Sequence, residues 1–320
     1  GVLTRAELAA IVNRAFQAST GGSLTGYTDV SSGAWYYAEM AKAVRMGTFA
    51  GSNGKLSPES PVTREQACAV LARAPALGDG SASALSRFAD SGNVSSWAVG
   101  SMAAMVENGY LNGANGRLNP QADMTRAEFA QLMGNIVAHY LDADSTAGKT
   151  LNGNVILREN GALLDGVTVK GDLIIADGMD GVMLSNVTVT GRIVIRGGAG
   201  GVKTTGTTAG KGVIVNNPTD TVLLHSTDGK IGTVTAQTDL AVDGRLDSVT
   251  AVQNVTVNVH KNASVGTITA NAAGTKIIGE GRVIAVKANA DNISVSNKGT
   301  KVTAATGTVG VKAGSTTVQP

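Results

Sequence analysis

The chain changes its rhythm once. Up to about residue 142, apolar positions recur at helical spacing in short blocks. These are Leu8, Ile11, Val12 and Ala15, then Met40, Ala43 and Val44, then Ala67, Val70 and Leu71, then Met102, Met105 and Val106, and finally Phe129, Leu132, Met133 and Ile136. From Thr150 onward the period drops to two, in short β-branched runs such as Val167-Thr168-Val169, Leu173-Ile174-Ile175 and Val187-Thr188-Val189, separated by Gly, Asp and Asn. The pattern predicts helices in the first part and short strands in the second.

The helical blocks carry their own boundaries. Thr4 precedes Glu7, Thr63 precedes Gln66 and Thr125 precedes Glu128 by three residues. Each pair predicts a capping box, in which the threonine hydroxyl and the acidic or amide side chain satisfy two orphan backbone donors reciprocally. The blocks at about 34–46 and 96–108 run into Gly47 and Gly109, as expected of helix C-termini.

This part also repeats itself. Trp35 and Trp97, Gly47 and Gly109, Gly51 and Gly113, Asn53-Gly54 and Asn115-Gly116, Pro58 and Pro120, and Thr63-Arg64 and Thr125-Arg126 are all 62 residues apart. Tyr27-Thr28-Asp29-Val30 parallels Phe88-Ala89-Asp90 with one residue of slippage, and Thr4-Arg5-Ala6-Glu7 opens a third copy. The order of F/Y-x-D, a Trp helix, a Gly-Asn turn, a Pro turn and T-R-A-E resembles the S-layer homology repeat. The resemblance covers residues 1–142: a partial first repeat, a second over about 27–75 and a third over about 86–142. It implies a helical three-repeat pseudo-trimer that attaches surface proteins to secondary cell-wall polysaccharide, often pyruvylated.

Two departures stand out. The first repeat lacks its Asp and Trp-helix half, so at most two of three grooves have all their parts, and the second reads Thr63-Arg64-Glu65-Gln66. The apolar stripe Leu8, Ile11, Val12 and Ala15 is then expected to lack a neighbour, leaving an exposed patch of about a few hundred Å².

An anionic sugar polymer calls for planar cationic donors and flat apolar surfaces. Arg5, Arg64 and Arg126 are candidates for bidentate contact with a carboxylate near helix N-termini. Trp35 and Trp97 offer stacking faces, and Gly51, Gly54, Gly113 and Gly116 permit close backbone approach. Asp29 and Asp90 complete the candidate set. The competing reading pairs the arginines with Asp29 or Asp90 and buries the tryptophans in the core.

The second part repeats differently. Val167, Val169, Gly171, Ile175 and Gly178 recur 20 residues later, and looser copies follow at 16 to 19 residues, from Ile231-Gly232-Thr233-Val234 to Lys301-Val302-Thr303. Repeats of this length built from short strands predict a parallel β-solenoid over 150–320, with eight or nine coils and a length of about 40 Å. Val169 and Val189 are expected to stack inward, and Lys170 and Thr190 to face out. Residues 143–149 read as the linker. The fold class is therefore a helical repeat module followed by an all-β parallel β-helix.

Composition narrows the function. All eleven aromatics lie at or before Tyr140, while charge is balanced in both parts. A net charge of +2 with no basic block argues against nucleic acid. A single cysteine, Cys68, excludes an intrachain disulfide framework and a Cys-rich zinc site. No apolar run is long enough for a membrane helix, and no signal peptide opens the chain, so a secreted protein would be in its processed form. Asp172, Asp177, Asp180, Asp243 and Asp247 sit where Asp forms turns, His225 and His260 lack ligand spacing, and no cofactor or metal is expected. The favoured reading is a non-catalytic extracellular wall or S-layer protein with the solenoid as stalk. The alternatives are a self-assembling S-layer or filament subunit, left open because nothing obvious caps residues 314–320, and a polysaccharide-degrading β-helix enzyme.

Overall fold

The computed structural model describes residues 1–19, 21–142 and 148–320, and resolves two compact units, Gly1–Ala138 and His139–Pro320. The boundary falls ahead of the compositional one. The segment His139–Leu141 is already a strand, pairing in parallel with Val155–Leu157, so the last aromatic, Tyr140, belongs to the second unit. Of the expected linker, residues 143–147 lie outside the described residues.

Among the described residues the first unit has five α-helices, α1 (Arg5–Ala15), α2 (Tyr37–Arg45), α3 (Arg64–Arg73), α4 (Val99–Glu107) and α5 (Arg126–Ile136), with short 3-10 turns at Ala82–Leu85, Ser91–Asn93 and Ser96–Ala98. The capping boxes at Thr4, Thr63 and Thr125 are all formed, so α1, α3 and α5 begin where the threonines place them. α2 and α4 stop at Gly47 and Gly109, whose φ values of 72° and 73° suit the left-handed C-terminal position.

The three capped helices are joined head to head by a closed ring. Val62 N donates to Leu3 O, Leu3 N to Met124 O and Met124 N to Val62 O, at 2.8–3.0 Å. Leu3, Val62 and Met124 are themselves buried at the hub. The arginine after each cap then reaches around the ring. Arg5 Nη1 donates to Gln66 Oε1 at 3.2 Å, Arg64 Nη1 to Glu128 Oε1 at 3.0 Å, and Arg126 to Glu7.

Each Trp-type helix packs on the capped helix of the preceding repeat, α2 on α1 and α4 on α3. This overturns the expected apolar patch. Leu8, Val12 and Ala15 are buried and only Ile11 is exposed, because α2 supplies the neighbour. The corresponding open face lies instead on α5, where Ala127, Ala130 and Gly134 are exposed while their counterparts Ala6, Ala9 and Asn13 are buried.

The second unit is a parallel β-solenoid. In the first coils three strands follow one another, as in Thr168–Lys170, Leu173–Ile175 and Val182–Ser185. The strands stack in register with the next coil: Val169 opposite Val189, Leu173 opposite Ile193 and Val182 opposite Val202. Val169 and Val189 are buried, and Lys170 and Thr190 are exposed. The four-stranded side sheet ends at Thr208–Ala209. Beyond it longer strands turn the corner themselves: Leu240–Ala251 pairs by its first half with Val222–Gly229 and by its second with Val234–Ala236. The changing coil length has this cause, with Val213 opposite Val234 but Val234 opposite Val249.

The last strands depart from the parallel stack that the sequence predicts. Thr316–Thr317 folds back antiparallel on Lys312–Ala313, and Val318 N donates to Val311 O at 2.9 Å. The turn covers the outer edge of Lys312–Ala313, whereas Lys301–Ala304 pairs, among the described residues, only with Ala285–Ala288.

Candidate functional site

Two grooves of the helical unit, each about 610 Å³, lie over the capped helices. They are copies. Phe49, Gly51, Ser57, Gln66, Val70 and Arg73 in the first correspond to Leu111, Gly113, Asn119, Glu128, Leu132 and Asn135 in the second, at the 62-residue offset of the repeat, and Arg5 corresponds to Arg64.

The scaffold of each groove follows from the repeat residues. In the first, Asp29 Oδ1 and Oδ2 accept the backbone N–H groups of Leu56 and Ser57 at 2.9 and 2.7 Å. Arg5 Nε donates to the carbonyl of the same Leu56 at 2.7 Å. In the second, Asp90 receives Leu118 N and Asn119 N at 2.8 Å, while Arg64 Nε donates to Leu118 O at 3.0 Å. Burial would raise both Asp carboxyls, but the backbone hydrogen bonds outweigh it, and each is held below the usual carboxylate range. Arginine and aspartate thus meet through the backbone of one turn.

The glycines divide into two kinds. A Cβ on Gly51 would lie 2.4 Å from Lys55 O and 2.5 Å from the Tyr27 ring, and one on Gly113 would lie 2.5 Å from Arg117 O and 2.8 Å from the Phe88 ring. These positions seat the aromatic of the F/Y-x-D element. Gly54 and Gly116, both at φ 70°, follow Asn53 and Asn115 at φ 51° and 49°, forming the two-residue turns between Ser52 and Lys55 and between Ala114 and Arg117.

The structure brings Arg5, Gly51 and Trp97 together in the first groove, and Arg64 and Gly113 in the second. Arg5 comes from the first repeat, Gly51 from the second and Trp97 from the third. Of these two grooves, the first has all three parts. Trp97 is 54% exposed; Trp35 is 64% exposed, lies edge-on to Tyr36 and lines neither groove. Arg126 is also outside both grooves, paired with Glu7.

Sequence reasoning missed two lining cations and one anchor. Lys55 and Arg73 line the first groove, Arg73 also donating to Thr48 O at 3.3 Å. Glu65, buried on α3, accepts Ser95 N and Ser95 Oγ at 3.0 and 2.8 Å, which fixes the backbone two residues ahead of Trp97. The departure from T-R-A-E at this position was the available signal. Cys68 is wholly buried in α3, and burial pushes its thiol up to about 12, outside the range of a reactive thiolate.

In the solenoid the candidate carboxylates are engaged. Asp172 pairs with Arg192 at 2.6 Å, Asp243 with His225 at 2.9 Å and Asp247 with Arg245 at 3.3 Å, and Asp180 accepts Gly200 N at 2.8 Å. Arg196 is buried, with Asp177 acting on its charge, and donates to Asn216 at 2.7 Å. Among the described residues no three His, Cys, Asp or Glu side chains converge to hold a metal, and no helix is long and apolar enough to cross a membrane.

Residues 26–68 and 87–130 match the S-layer homology domain. The chain is 38% identical over 134 residues to the surface-layer 125 kDa protein of Lysinibacillus sphaericus, an alignment covering 40% of this chain and 11% of that protein. It is 29% identical over 136 residues to an amylopullulanase of Thermoanaerobacterium thermosulfurigenes, covering 41% of this chain and 7% of the other. It therefore aligns with only a small fraction of the length of either relative.

Proposed function

We propose that a chain carrying S-layer homology repeats at 26–68 and 87–130 is a non-catalytic cell-surface protein. Its helical unit holds secondary cell-wall polysaccharide and its solenoid serves as a stiff stalk. The observation that carries this reading is the first groove, where Arg5, Lys55 and Arg73 surround a cleft bordered by the exposed face of Trp97. A guanidinium fork suits a sugar-borne carboxylate and an indole face suits a pyranose ring. Asp29 and Asp90 fit a positioning role, since their oxygens hold the turn that carries the arginine's acceptor.

The similarity to a surface-layer protein supports a wall location. Past Tyr140 the solenoid carries no Phe, Tyr or Trp, and its paired carboxylates give no support to sugar cleavage, which needs two free carboxyl groups across a sugar-binding cleft.

The test is cosedimentation with sacculi of Lysinibacillus sphaericus, before and after extraction of their polysaccharide. Binding to intact sacculi that is lost on extraction is the expected result. Equal recovery from both, or none from either, would remove the anchoring role. Negative-stain images showing isolated particles would support the stalk, and filaments of fixed repeat would replace it with the assembly reading.

A further inference from the structure

We propose that the two grooves are unequal and that only the one built around Arg5 takes an acidic saccharide, with Gln66 as the residue that sets the selectivity. This rests on the polysaccharide-anchoring reading above.

The grooves have the same volume and the same scaffold, so their difference lies in a few side chains. Arg64 in the second groove already has an anion: Glu128 Oε1 stands 3.0 Å from its Nη1. The groove lining there holds one cation and one carboxylate, Arg64 and Glu128. At the equivalent place in the first groove, Arg5 Nη1 meets the neutral amide oxygen of Gln66 at 3.2 Å. That lining holds Arg5, Lys55 and Arg73 and, among the described residues, no carboxylate. Arg73 replaces Asn135, adding a second guanidinium on the wall formed by α3. An incoming carboxylate is attracted to the first groove and meets a resident competitor in the second.

Asp29 does not cancel this difference. Its charge acts on Arg5 and Lys55, but it lines no groove, and Asp90 occupies the matching place beside the second. Folding does not require the amide either. Gln66 closes the Thr63 capping box as Glu7 and Glu128 close those of Thr4 and Thr125, so a carboxylate at position 66 would serve α3 equally. Both departures of the second repeat act on one groove: Gln66 leaves the Arg5 charge available and Glu65 anchors the turn that presents Trp97.

The experiment is calorimetric titration of the full chain with short acidic oligosaccharides released from the same sacculi, and with the same oligosaccharides after reduction of their carboxyl groups to alcohols. One site per chain is expected, lost on carboxyl reduction. Gln66→Glu should weaken binding about tenfold, since a charge-assisted contact is traded for an internal ion pair. Arg73→Asn should weaken it in the same direction, and Asn135→Ala should leave it unchanged. Unaltered thermal midpoint and helix content in Gln66→Glu would show that the fold is intact. Wild-type affinity in Gln66→Glu, or two equal sites per chain, would overturn the inference while leaving the anchoring role standing. Equal binding of the reduced oligosaccharides would overturn selection by charge. Absence of any binding by the wild type, with sacculi also ignored, would remove both readings together.

Discussion

Asp90 Oδ1 accepts the backbone N–H of Leu118 at 2.8 Å, and its second oxygen takes that of Asn119 at the same distance. The carboxylate is buried and closes the turn whose carbonyl receives Arg64. Asp90→Ala should cost about 2–3 kcal/mol, as expected for losing charge-assisted hydrogen bonds to buried donors. Urea denaturation of the full chain, read at the helical signal, checks the value. Asp90→Asn, which keeps one acceptor, should cost less.

The same carboxyl predicts an acid response. Its folded-state pKa lies below its unfolded value, as does that of Asp29. The stability these groups contribute is therefore complete above the unfolded carboxyl pKa, about 3.9, and is lost as pH falls through the folded value. Near-UV circular dichroism on acid titration should show the helical unit loosening below about pH 4. In Asp90→Asn that part of the response should be smaller. An unchanged acid profile in the variant would assign the transition to other carboxyls.

Position in the grooves separates residues that the repeat treats alike. Arg5→Ala should weaken sacculus binding by about 1.5–3 kcal/mol, the range for a hydrogen bond to a charged group. Arg126→Ala should change it little, because Arg126 is tied to Glu7 and lines neither groove. Trp97→Ala should likewise exceed Trp35→Ala. Arg5→Lys, which retains charge but not the fork, should fall between wild type and Arg5→Ala. Reversed ranking within either pair would move the site elsewhere on the unit.

The capped helices, the Gly-Asn turns and the stacked valines were legible because each depends on neighbours within a few residues or on a fixed period. Thr125 and Glu128 cap one turn wherever the helix lies, and Val169 faces inward by alternation alone. The groove was not legible in the same way. Arg5, Gly51 and Trp97 come from three different repeats and meet only because α2 and α4 pack on preceding helices around a closed hub. Aligning repeats gave every copy equal standing, whereas of the two grooves described the ring gives the first all three contributions. The burial of Leu8, Val12 and Ala15 escaped for the same reason, since their neighbour α2 belongs to the next copy.

In the solenoid, Val189→Asp should destabilise by about 3 kcal/mol or more, because it places an unpaired charge between Val169 and Ala209 in the stack. Thr190→Asp, on the exposed side, should lie within about 0.5 kcal/mol of wild type. Guanidinium unfolding followed at the β-sheet signal separates them. Similar values would mean that the register is displaced by one residue.

The C-terminal turn predicts an association phenotype. Val318→Pro removes the donor that bonds Val311 O and should loosen Thr316–Thr317 from Lys312–Ala313. Light scattering at rising concentration should then show more growth than in the wild type, as the edge of Lys312–Ala313 becomes open to strands beside that of Lys301–Ala304. A variant that scatters like the wild type would show that this edge is not what limits association.

The hub made by Leu3, Val62 and Met124 also has a consequence for how the helical unit forms and fails. In an open array of repeats, folding starts anywhere and terminal units fray singly. Here the first and last capped helices are bonded to each other across 121 residues of chain, from Leu3 to Met124. The entropy of closing that loop must be met before the ring rewards it, which makes for slow, non-local folding. Once closed, the unit has no end to peel. A cut in the loop between α2 and α3 should leave both pieces clasped, and the unit should let go all at once or not at all.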